Sequence, residues 1–270
     1  MSTKTKSSIY RTHLQSVKHY AKIISYPCGV KDIIASSEPI FGDPGWEISE
    51  DYSHPKKGST EKNDREKSEP NGEDIERSMR RARSKLRRLA LANNFRWFVT
   101  LTIDPSKVNS HDGAAVVKKL NAWCSNMVQR KGLQYILVPE RHKKGGIHFH
   151  GFFNDCLEVV DSGHTDKQGH KIFNLPQWSL GFTTAIELYD DYQKAVGYVC
   201  KYVGKQGEKP AGRWYYSGGS LVEPTVEYVE ISADDLENMF PDQAYSFQVP
   251  GKKLAVCSNI VLGKVQKGGE

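Results

Sequence analysis

Apolar positions along the chain follow two rhythms. Ile75, Met79, Ala82, Leu86 and Leu89 recur at alternating four- and three-residue steps, which puts them on one face of a helix over about residues 73–92. The run WFVTLTI, residues 97–103, is dense in β-branched and aromatic side chains and predicts a strand. Residues 116–130 predict a second helix, and residues 134–138 and 146–153 two strands, with Lys143-Lys144-Gly145-Gly146 as the turn between them. Residues 161–170 form a polar loop, 181–188 a further strand and 192–203 a third helix, with more strands beyond about residue 213. Strands outnumber helices and a tight turn joins two of them. The expected class is therefore α+β, with a mainly antiparallel central sheet and flanking helices.

The flanks read differently. Residues 1–50 mix β-prone runs such as 20–26 with Pro and Gly, and form an N-terminal extension of undefined structure. Residues 51–72 are almost wholly polar and charged without apolar periodicity, so they predict a disordered linker. The folded domain is expected to run from 73 to 270.

Composition narrows the function classes. The 270 residues are 38% hydrophobic and 26% charged, enough for a sizeable core. No apolar run approaches the roughly 18 residues of a membrane span, and the N-terminus lacks the apolar core of a signal peptide. Five scattered cysteines form no CxxC, which argues against a disulfide framework or a cysteine zinc site and for a reduced, cytoplasmic home. The net charge of +6 permits a polyanionic partner without demanding one. Seven basic residues between Arg77 and Arg88 lie off the apolar face of the first helix. They are either a solvated surface or a phosphate-contacting one.

The sharpest local pattern is GIHFHGFF, residues 146–153. Side chains alternate along a strand, so Ile147, Phe149 and Phe153 point to the core while His148 and His150 share the other face. Their Cα atoms are then about 7 Å apart, and neutral imidazoles so placed can converge on a cation. Glu140 ends the preceding strand, and the turn folds it back beside the histidines. Two nitrogens and one carboxylate suit Mg²⁺ or Mn²⁺ and leave open positions for phosphate and water. His142, in the turn, competes as a ligand or serves as a substrate-side residue. Thr100 and Thr102 alternate onto the polar side of their strand, where they contact DNA or simply tolerate exposure.

A second constellation is YVCKYVGK, residues 198–205, a YxxK unit written twice. Four residues apart on a helix, Tyr198 and Tyr202 share a face, and Lys201 and Lys205 form a row beside them. A phenol is a weak nucleophile at its usual pKa of about 10, but a neighbouring lysine stabilises the phenolate. The aromatic run Trp214-Tyr215-Tyr216 beside Arg213 fits either core packing or stacking on unpaired bases.

Together WFVTLTID, GIHFHGFF and YVCKYVGK, in that order over about residues 75–225, resemble the rolling-circle replication initiators of the HUH endonuclease superfamily. The tandem tyrosines are most similar to the replication-associated proteins of single-stranded DNA phages and related plasmids. The resemblance implies a ferredoxin- or RRM-like core and a divalent metal held by His148, His150 and Glu140. It further implies Tyr198 and Tyr202 as nucleophiles, assisted by Lys201 and Lys205, and a 5′-phosphotyrosyl intermediate. The implied partner is single-stranded DNA at a replication origin in a bacterial cell. No GxxxxGK[ST] loop is present, so a host helicase is expected alongside a polymerase.

Three alternatives remain. A relaxase usually carries its tyrosine ahead of the histidines, unlike this chain. A single-tyrosine transposase does not explain the doubled YxxK. A non-catalytic basic DNA-binding protein explains the charge but not the acid, histidine and tyrosine motifs in series.

Overall fold

A computed structural model describes residues 20–36, 71–188, 192–229, 244–249 and 252–261. In chain order the strands begin with β1 (Tyr20–Ser25) and β2 (Val30–Ser36). Helix α1 (Gly72–Ala92), strand β3 (Trp97–Ile103) and helix α2 (Gly113–Lys131) come next. Five strands follow, β4 (Tyr135–Arg141), β5 (Ile147–Phe153), β6 (Val160–Thr165), β7 (Lys171–Asn174) and β8 (Gly181–Glu187). After helix α3 (Tyr192–Tyr202) come β9 (Tyr216–Gly218), β10 (Thr225–Val229), β11 (Ala244–Val249) and β12 (Lys252–Val261). The fold is α+β, as the periodicities predict. Among the described residues no helix is long and apolar enough to cross a membrane.

The chain divides into two compact units, 70–223 and the two ends, 1–69 with 224–270. This partition differs from the division expected from composition. Strands from both ends build a five-stranded sheet of their own, in the order β10-β1-β2-β12-β11. The expected extension thus supplies a paired hairpin, and the last strands belong with it rather than with the tyrosine helix. Most of the expected linker lies outside the described residues; its last two, Asn71 and Gly72, begin α1, where the Asn71 side chain caps the helix by accepting from the Asp74 amide.

The larger unit is a seven-stranded sheet in the order β6-β7-β8-β3-β5-β4-β9, with every neighbouring pair antiparallel. Strand β3 buries Trp97, Val99, Leu101 and Ile103 on one face. That face meets Val116, Leu120, Trp123 and Met127 of α2, together with Phe149 and Phe153. Asp112 starts α2 by accepting from the Ala114 and Ala115 amides, and Gly132, at φ 69°, ends it in the left-handed conformation that glycine adopts without strain.

The opposite face carries α3, with Tyr202 stacked on His150 and Tyr192 near Phe152. Helix α1 packs alongside α3. Arg83 donates from Nε to the Val203 carbonyl at 2.9 Å, and Trp214 donates to Ser78 at 2.9 Å. At the end of α1, buried Asn93 donates to the Leu89 and Val222 carbonyls and accepts from the Val222 amide, so its amide is fully used.

One expectation changes. The polar stretch 161–170, read as a loop, holds β6 and the turn of a hairpin with β7. It sits at the sheet edge, where exposed strands keep polar residues and show no alternation.

Strand β5 packs so closely on β4 that a Cβ on Gly151 would lie 1.8 Å from the Ile136 carbonyl oxygen. Gly151→Ala is therefore expected to lower stability by about 1–3 kcal/mol, the usual cost of overpacking. Urea melts should register this as a lower midpoint, and an unchanged midpoint would mean that the two strands separate freely here.

Candidate metal centre and tyrosine pair

The register of three strands assembles the first group. His148 lies opposite Glu140 on β4 and Thr102 on β3, while His150 lies opposite Val138 and Thr100. Directly opposed residues share a face, so alternation on β5 delivers both imidazoles to the side where Glu140 points. His148 Nε2 and His150 Nε2 stand 3.2 Å and 3.1 Å from Glu140 Oε2, and 3.3 Å from each other. Among the described residues these three are a group of ligating side chains whose atoms lie within 4.8 Å of one another.

Only Nε2 protons can make those three contacts hydrogen bonds. Burial works against protonation: it lowers His148, and it lowers His150 to about 4 with the neighbouring His148 adding to the effect. Burial by itself would raise Glu140. The hydrogen bonds from Lys205 and His148 and the charge of His150 outweigh it and hold the carboxyl below its usual range. Neutral nitrogens and an ionised oxygen converging on one point form a donor set for a divalent cation.

Further contacts orient these groups. His150 Nδ1 lies 3.1 Å from Thr100 Oγ1. When Nε2 offers its lone pair to a cation, Nδ1 carries the proton and donates it to Thr100, which fixes the ring. The Glu140 carboxylate is divided between its oxygens. Oε2 faces the histidines, while Oε1 accepts from Lys205 Nζ at 2.8 Å, which raises the lysine pKa.

Lys205 arrives there because α3 stops at Tyr202. Gly204 turns the chain at φ 71°, where an added Cβ would lie 2.0 Å from Met79 Sδ. The Gln206 side chain then pairs with β4, accepting from the Arg141 amide at 3.0 Å and donating to its carbonyl at 2.7 Å. Lys201 remains within the helix, exposed and outside these contacts. The two lysines thus do not act as one row, since the helix that would align them ends between them.

The tyrosines meet the metal ligands from α3. The Tyr202 ring stacks on His150, centroids 4.1 Å apart, and Lys205 Nζ lies 5.2 Å from the Tyr202 ring centroid. Tyr202 donates to the Tyr198 hydroxyl at 2.6 Å. Burial and that hydrogen bond push the Tyr202 phenol well above its ordinary value. Tyr198 is half exposed and rests its ring edge against Phe98, 5.9 Å away. Phe98 and Gln206 drew no notice in the sequence. Strand alternation places Phe98 on the histidine face, whereas nothing local marks Gln206.

Two open readings close. His142 is exposed, with its ring 5.7 Å from His148, and it stays outside the group of three. Trp214 and Tyr216 are buried, the latter donating to the Ala211 carbonyl, so they pack the interior and present no stacking surface.

Residues 96–207 match the family model of the replication-associated protein ORF2. The matched segment contains β3, the three ligating residues and the tyrosine helix, and the match is consistent with a rolling-circle replication initiator. It points to a role in replication initiation with DNA bound at an origin. No curated protein and no solved structure matches the chain.

Thr100→Val should weaken Mn²⁺ binding about ten- to a hundredfold in calorimetric titration, while Thr100→Ser keeps it. Equal affinity for valine and threonine would remove Thr100 from the site. Acid should also destabilise the metal-free fold. Unfolded histidine titrates near ~6.5 and folded His150 near about 4, so only the unfolded chain gains this proton between those values. Glu140 adds loss of stability at still lower pH, as its depressed folded pKa is crossed. Urea midpoints should fall from pH 7 towards 4.5, and less steeply in His150→Gln; parallel slopes would exclude His150 as the source.

Proposed function

We propose that this chain initiates rolling-circle replication as a metal-dependent, site-specific single-strand DNA endonuclease and strand transferase. The observation that carries this reading is the stacking of Tyr202 on His150, 4.1 Å between centroids, which joins the tyrosine pair to the metal-ligand group. The cation is Mg²⁺ or Mn²⁺, held by His148, His150 and Glu140. When bound, it polarises the scissile phosphate and offsets the charge that develops there.

The chain's own residues do the rest. Tyr198 or Tyr202 attacks phosphorus through its hydroxyl oxygen. The new P–O bond to tyrosine forms as the P–O3′ bond breaks, and the tyrosine proton ends on the departing 3′-oxygen. One phosphodiester is exchanged for another, so the 5′-phosphotyrosyl link keeps the bond energy needed to rejoin DNA. The phenol of Tyr202 is held protonated until reaction. Lys205, beside its ring and fixed by Glu140, supplies positive charge as the phenolate develops. Lys201 serves the emerging strand from the exposed side of α3. Two tyrosines whose hydroxyls touch allow the second to attack in a later round, releasing a circle. The free 3′-hydroxyl primes a host polymerase, and a host helicase opens the duplex; both belong to the cytoplasm of a bacterial cell.

Single-stranded origin DNA incubated with the protein and Mn²⁺ should yield a covalent peptide–nucleotide adduct detectable by mass spectrometry. EDTA should abolish it. Tyr198→Phe and Tyr202→Phe should each retain nicking but fail in complete cycles, and the double variant should form no adduct. DNA that is bound but never cleaved or attached would identify a binding protein and sink the enzymatic reading.

A further inference from the structure

Across the middle of the large sheet one row of paired residues runs Glu140, His148, Thr102, Phe182. Paired residues point to the same side, so Phe182 projects from the face that bears the metal ligands. Two strand spacings separate it from His148, about 10 Å. Only the short Thr102 side chain stands between them. Helix α3 covers the β5 side of this face through Tyr202, whereas the β8 side is open. Thr184, one position along on the same face, is exposed. Phe182 is 69% exposed, the most exposed large hydrophobic side chain among the described residues. Val160 and Tyr198, also exposed, lie on the same face.

The backbone under this ring is held firmly. Gly181 approaches β3 so closely that a Cβ there would lie 2.1 Å from the Thr102 carbonyl oxygen. Trp178 Nε1 donates to that carbonyl at 3.2 Å, the Asp104 amide donates to the Leu180 carbonyl at 2.9 Å, and Thr183 Oγ1 accepts from the Leu175 amide at 2.9 Å. An aromatic ring exposed to water on a clamped strand loses little freedom on gaining a flat partner.

We propose that Phe182 is a stacking platform for an unpaired base next to the bond that is cut, with Thr102 and Thr184 flooring the path of the strand from the metal ligands. The occupant is single-stranded DNA because the platform continues the same row as the proposed site. At that distance it meets a base adjoining the reacting phosphate. Stacking on an aromatic side chain is tolerant of sequence, so Phe182 contributes grip and register while base choice is made elsewhere. The inference rests on the nicking reading only in taking unpaired DNA as the ligand.

Fluorescence anisotropy of the full chain with a labelled, mixed-sequence single-stranded oligonucleotide in EDTA tests it without cleavage. Phe182→Ala should weaken binding about five- to 150-fold, the range expected for one stacked base. Phe182→Trp should bind at least as well as wild type. Phe182→Leu, which keeps apolar bulk but has no π face, should behave like alanine. Circular dichroism checks that each variant is folded. Tight binding by the alanine or leucine variant, or no binding by wild type, would overturn the proposal. So would a change in sedimentation on Phe182→Ala with DNA affinity unaltered, because the face would then pair two copies of this chain. If DNA binds through Phe182 but no tyrosyl adduct ever forms with metal, the nicking reading fails and the stacking surface stands.

Discussion

The shared carboxylate of Glu140 is the contact on which the site depends. One oxygen faces two histidine nitrogens and the other accepts from Lys205, which follows the tyrosine helix. A single side chain thus couples the strand pair to the segment carrying the tyrosines. Burying an acid and a histidine to 8% and 9% exposure costs solvation that an apolar pair would not. The fold offsets that cost with mutual contacts and with Lys205. A divalent cation would offset it further, so the site is poised for a ligand at the expense of the apo fold.

Position comes from β5, the central strand of the group. Paired on both sides, it cannot slip by one residue without turning Phe149 and Phe153 out of the core. The hydrophobic residues therefore hold the histidines in place. On the other flank, Gly204 ends the helix and Gln206 binds the following loop to β4 through its side-chain amide. Thr100 completes the arrangement by occupying the second nitrogen of His150. Each support is a short polar contact from an element whose own packing is apolar.

The two tyrosines differ in environment although they repeat in sequence. Tyr202 is enclosed between His150 and Lys205, and Tyr198 is half exposed beside Phe98. Their touching hydroxyls make them one chemical unit. The asymmetry arises because α3 crosses the sheet over β4 and β5, so one turn of helix moves a side chain from the ligand group to the open face.

Much of this was legible in the sequence because it is local. Alternation in GIHFHGFF assigns two histidines to one face and three apolar residues to the other, and a four-residue spacing aligns two tyrosines on a helix. Amphipathic period predicts α1, β3 and α2, and the resemblance supplied the grouping of acid, histidines and tyrosines. What lay beyond the sequence is long-range. The separation of Lys205 from Lys201 depends on where α3 ends against Met79. The burial of Trp214 depends on Ser78 of α1, and the sheet shared by the two chain ends depends on pairing across some two hundred residues. The exposure of Phe182 has the same origin, since an alternating strand looks alike whether a helix covers its face or not. Periodicity specifies which side a residue takes; only packing decides what it meets there.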